Sequence, residues 1–119
     1  MSMKQFEVIY LKDDVFEKGV NFREIISAHK EISKFAYILH HDGVERPHYH
    51  IFLRVEKTIT IVNDVAKWFG VDVLFVHILK SHLTNILEFY LQKHFAHPHN
   101  KKYSVNDLIT NIVPLPLKN

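Results

Sequence analysis

Two histidines one residue apart, His48 and His50, open the segment His48 to Glu56 (HYHIFLRVE). In a strand, alternation places His48, His50, Phe52 and Arg54 on one face and Tyr49, Ile51, Leu53 and Val55 on the other. Imidazoles side by side on a rigid strand can offer nitrogen to one metal ion, although such pairs also pack and hydrogen-bond without one. The preceding strand ends in His40-His41-Asp42, so a third ligand is at hand. An even hairpin loop places His41 opposite the His48 face, whereas an odd loop or a bulge places His40 there, and parity alone leaves both open. Further along, Tyr90 shares a helical stripe with Leu83, Leu87 and His94. If that stripe packs on the histidine face, a phenol can approach the metal, though tyrosine in such a stripe also serves as core.

Composition narrows the chemistry. Ten histidines in 119 residues is well above ordinary usage, and most fall between Tyr37 and Asn100. The absence of cysteine excludes a disulfide framework, a thiolate zinc site, an iron–sulfur cluster and a cysteine nucleophile, so any metal must be held by His, Asp or Glu. A net charge of +2 is too small for a protein that coats long duplex DNA, so local chemistry must carry any nucleic-acid function. With 47% hydrophobic and 24% charged residues, one folded domain over residues 1–119 is expected. No apolar run approaches the roughly 20 residues that span a bilayer, and the first residues do not read as a secretory signal. A cytoplasmic protein is the expectation.

The elements that position these residues follow from periodicity and caps. Lys4 to Lys12 reads as a buried strand. Asn21, with Glu24 three residues on, caps a helix running to about Ser33. Lys34 to His41 and His48 to Glu56 form a hairpin across the turn Asp42 to Pro47. Thr58 or Thr60 caps a short helix carrying Val65, Trp68 and Phe69, which stops at Gly70. Val71 to Leu79 is a fourth strand, and Ser81 opens the longest helix, to about Phe95. A brief helix with Ser104 and Asp107 as its cap box follows, before a tail interrupted by Pro114 and Pro116. This order predicts an α+β, ferredoxin-like antiparallel sheet (βαββαβ) with helices on one face. The additional C-terminal helix, carrying the tyrosine, is free to cover the other.

These residues resemble a known set. Tyr37-Ile38-Leu39-His40-His41-Asp42 and Arg46-Pro47-His48-Tyr49-His50-Ile51-Phe52-Leu53 are similar to two strand motifs of rolling-circle replication initiators (Rep proteins) of the HUH endonuclease superfamily. Leu87-Glu88-Phe89-Tyr90-Leu91-Gln92-Lys93-His94 and Lys101-Lys102-Tyr103-Ser104 resemble the tyrosine motif and the basic stretch after it. Lys67-Trp68-Phe69-Gly70 resembles a Lys-Trp-aliphatic-Gly helix end of such initiators, and the likeness spans about residues 34 to 110. Small size, the lack of a helicase domain and the many histidines make it most similar to the small Rep proteins of archaeal rudiviruses. Where the superfamily motif has Leu-His-Asp-x-Asp, this chain departs by placing His41 and Asp42 after His40, and Gly43 where an acid is expected.

The resemblance implies His48 and His50 as metal ligands with His40 or His41 as the third, Tyr90 as a single nucleophile, and Mg²⁺ or Mn²⁺ as the ion. It implies nicking and joining of single-stranded DNA at a replication origin or genome end through a 5′-phosphotyrosine, with no ATP requirement. His94 and Lys93 are candidates to assist the phenol. Arg54, Lys93, Lys101 and Lys102 are candidates to approach phosphates. A homodimer is implied, with unwinding by a separate helicase, since no phosphate loop of the Walker type is present. Two rival readings share the residues: a single-tyrosine transposase, and a non-enzymatic nucleic-acid-binding module whose sheet carries His48, Tyr49 and His50 without metal.

Overall fold

The computed structural model describes residues 4–11, 21–40, 47–57, 59–79 and 107–112. Five strands and two helices are built from them: β1 (Lys4–Leu11), α1 (Phe22–Ala28), β2 (Ile32–His40), β3 (His48–Val55), α2 (Val62–Phe69), β4 (Val76–Ile78) and β5 (Ile109–Thr110). The strands form one antiparallel sheet in the order β4-β1-β3-β2-β5, and the first four are arranged compatibly with a ferredoxin-like type. The expected helix bearing Tyr90 and His94 lies outside the described residues.

The central strand β3 shows why the layers form. Tyr49, Ile51, Leu53 and Val55 face the same side as Phe6, Val8 and Tyr10 of β1, their neighbours in register. That face joins Phe22 and Ile26 of α1 and Val65, Ala66 and Phe69 of α2 in one buried cluster. Both helices therefore cover the apolar face, as alternation along β3 predicts. Phe22 is the keystone, its ring set edge-on to Tyr10, Tyr37 and Tyr49 with centroids 5.0, 5.3 and 4.9 Å away. The other face is also buried along much of its length, at Ile38, Ala36, Phe52, Gln5 and Arg54.

Local signals set several boundaries. Asn21 Oδ1 accepts from the Glu24 amide at 3.2 Å, the expected start of α1. The helix is shorter than its periodicity suggests, ending at Ala28 rather than near Ser33. Tertiary pairing overrides propensity here: Ile32 is drawn opposite Val55, and a bulge follows between Ile32 and Lys34. For α2 the cap is neither threonine. Thr58 lies outside the described residues, and the Ile61 amide, one residue past Thr60, donates to Asp64 Oδ2 at 2.9 Å. Gly70 ends α2 at φ 68°, the left-handed position that favours glycine.

Two other boundaries also differ from expectation. The fourth strand covers only Val76–Ile78, because Asp72 Oδ1 accepts the Leu74 amide at 2.9 Å and closes a 3₁₀ turn at Val73–Phe75. The brief helix expected from Ser104 falls mainly outside the described residues; Asp107 lies in a 3₁₀ turn, and Ile109–Thr110 then extends the sheet beside Tyr37 and Ala36. Asn111 secures this fifth strand by accepting from the Phe35 amide at 2.8 Å and donating to the Ser33 carbonyl at 3.1 Å. No helix among the described residues is long and apolar enough to cross a membrane.

Candidate metal centre

Register brings the histidines together. His40 is the cross-strand partner of His48, so the intervening residues 41–47, odd in number, keep His40 on the face of His48 and His50. Of the two alternatives for the third ligand, His40 occupies the position; His41 lies outside the described residues. The His40 ring is 4.4 Å from that of His50 and 5.5 Å from that of His48, between centroids. His40 is buried, at 6% exposure, while His48 and His50 are half-buried.

One potential ligand atom from each of His40, His48 and His50 lies within 4.8 Å of the others, so the cluster can hold a metal ion. His48 Nε2 and His50 Nε2 are 3.2 Å apart. That separation fits two nitrogens each about 2.1 Å from one ion and roughly 90–110° apart around it. The donor set is three neutral-capable imidazoles, which suits a first-row transition ion better than an oxygen-seeking one.

Glu7, on the neighbouring strand β1, completes the arrangement. Its Oε2 lies 2.9 Å from His50 Nδ1. A carboxylate oxygen accepts, so Glu7 is placed to take a hydrogen bond from His50 in the tautomer that carries its proton on Nδ1. Sequence reading took β1 as a buried strand and missed Glu7. Its signal was alternation: Phe6, Val8 and Tyr10 share the helix face, leaving Gln5 and Glu7 as polar residues on the histidine face.

Arg54 shares that face but is not a surface cation. It is buried at 7% exposure, and its Nε donates to Gln5 Oε1 at 3.0 Å. Removing it from this setting to meet a phosphate would leave Gln5 without that bond, so the structure gives no support for Arg54 as a phosphate contact. Lys93, Lys101 and Lys102, the other expected phosphate contacts, lie outside the described residues, as do Tyr90 and His94.

The described tyrosines are all remote from the cluster's face. Tyr10, Tyr37 and Tyr49 belong to the helix-side core or pack against it. Burial, reinforced by neighbouring Tyr37, raises the Tyr49 phenol above its ordinary value of 10.0 and disfavours the phenolate that attack requires. No tyrosine among the described residues serves the histidine face, and the chain's other two, Tyr90 and Tyr103, lie outside them. Compared with family models, with curated proteins and with solved structures, the chain matches none.

Proposed function

We propose that the protein is a metal-dependent nicking and joining enzyme for single-stranded DNA, of the Rep type in the HUH endonuclease superfamily. The observation that carries this reading is the convergence of His40, His48 and His50 on the sheet face opposite the two helices. Burial of Ile38, Ala36 and Phe52 on that same face suits an element packed there, the place expected for the helix bearing Tyr90. The position of Tyr49 on the helix face, with its phenol raised by burial, argues against it as the nucleophile and is compatible with Tyr90 in that role.

In this reading His40, His48 and His50 hold Mn²⁺ or Mg²⁺, the three imidazoles favouring the former. The bound ion supplies Lewis acidity and orientation at a phosphate oxygen. The Tyr90 oxygen forms a bond to phosphorus and its phenolic proton passes to His94. The bond from phosphorus to the 3′ oxygen breaks, and that oxygen leaves as a hydroxyl after taking up a proton. One phosphodiester is exchanged for another of similar energy, so the reverse reaction rejoins a 3′ end without ATP. Lys93, Lys101 and Lys102 meet flanking phosphates. A homodimer offers a second tyrosine for the joining step, and a separate helicase opens the duplex at an origin or genome end. In a virus the site of action would be the host cytoplasm.

The test is incubation with single-stranded oligonucleotides and Mn²⁺ followed by denaturing electrophoresis. A covalent adduct is expected from wild type and Tyr103→Phe, and none from Tyr90→Phe or His48→Ala. Adduct retained by Tyr90→Phe and lost by Tyr103→Phe moves the nucleophile to Tyr103. DNA binding with no adduct from any chain, under any divalent ion, makes the protein a binding module instead.

A further inference from the structure

We propose that Glu7 is a positioning residue for the metal centre: by accepting from His50 Nδ1–H it holds the imidazole in the tautomer whose Nε2 lone pair can ligate. The role rests on the metal-binding part of the reading above and is independent of the DNA chemistry. Three observations carry it. The Glu7 Oε2 to His50 Nδ1 contact is 2.9 Å, the length of a charge-assisted hydrogen bond. The opposite nitrogen of the same ring, Nε2, is the atom 3.2 Å from His48 Nε2. Both side chains are partly shielded from water, at 19% exposure for His50 and 24% for Glu7, so solvent competes only in part for the contact.

Neutral histidine in water favours the tautomer with its proton on Nε2, which would block ligation from that atom. A carboxylate on the far side of the ring reverses the preference, fixes the ring plane and raises the basicity of the ligating nitrogen. The sheet explains why the residue comes from β1. Glu7 is the register partner of Phe52, two residues along β3 from His50 and on the same face. The ring can therefore reach the carboxylate diagonally across the strand pair while its other edge meets His48. On the far side of β1, His77 of β4 is also the register partner of Glu7, yet it stands outside the three-histidine cluster. It supplies a matched control.

The experiment uses the full chain. Nitrogen–proton correlation spectra of the imidazoles, recorded without metal, are expected to show His50 protonated on Nδ1 in wild type and in Glu7→Gln, whose amide oxygen still accepts. In Glu7→Ala the proton is expected on Nε2. Calorimetric titration with Mn²⁺ is expected to show a loss of about 10–100-fold in affinity for Glu7→Ala. A smaller loss is expected for Glu7→Gln and no change for His77→Ala. Wild-type His50 protonated on Nε2 overturns the proposal without reference to any variant's folding. Mn²⁺ affinity unchanged in Glu7→Ala overturns the role of Glu7 while leaving the three-histidine site standing. A wild-type chain that binds no Mn²⁺ overturns the site and the role together.

Discussion

Metal binding should stabilise the fold by an amount that the geometry allows to be estimated. The ligands come from both strands of the β2–β3 hairpin, and His50 is tied through Glu7 to β1, so an ion would join three adjacent strands. His48 and His50 already stand at a ligating separation, so little ordering cost is subtracted from the binding energy. At free Mn²⁺ about 100 times the dissociation constant, a ligand bound only by the folded state adds about 2.7 kcal/mol. For a domain of 119 residues each kcal/mol moves the melting temperature by roughly 3–5 °C, so a rise of about 8–14 °C is expected. The assay is calorimetric or fluorescence melting of wild type and of His40→Ala, His48→Ala and His50→Ala, each with Mn²⁺ and with chelator. Wild type should gain the full shift, and each variant should lose most of it. A wild-type shift no larger than that of the variants would refute the reasoning and leave the three rings as packing partners.

Three further outcomes test the scaffold. Phe22→Ala removes the ring that meets three tyrosines and should cost about 3–5 kcal/mol by denaturant titration, with Phe22→Leu costing clearly less. Gly70→Ala should cost about 1–2 kcal/mol from backbone strain at φ 68°, because a Cβ there meets nothing within 4 Å and no steric clash adds to it. The raised phenol of Tyr49 predicts alkaline sensitivity: the unfolded chain ionises first, so the stabilisation is fully present below about pH 10 and is lost as pH rises through the folded-state value. Across that window the melting temperature of Tyr49→Phe should fall less steeply than that of wild type.

Local patterns made part of this structure legible. Alternation in HYHIFLRVE separated the histidine face from the apolar face, Asn21 and Glu24 marked the start of α1, and Gly70 marked the end of α2. Each depends on residues within a few positions of one another. What was not legible depends on partners distant in sequence. Ile32 left its helical stripe for the strand opposite Val55, Asp72 shortened β4, and Ile109 and Thr110 became a strand by pairing with β2 across more than seventy residues. Arg54 was a candidate phosphate contact from its place on β3 alone; its burial beside Gln5 is a property of the assembled sheet.

The metal centre shows the same division, and the strand order explains it. A His-x-His pair on an edge strand has a neighbour on one side only and gathers at most one further side chain from the sheet. In the order β4-β1-β3-β2-β5 the pair lies on the middle strand. One neighbour, β2, contributes His40 opposite His48, and the other, β1, contributes Glu7 to the back of His50. The odd number of residues in the 41–47 connection selects His40 rather than His41 for that face. A weak local motif thus acquires its third ligand and its orienting carboxylate from two strands that contact it for reasons of core packing. The apolar residues on the opposite face of β1, β2 and β3 hold the register on which the centre depends. A substitution in that core is therefore expected to loosen the site without touching any of its four residues.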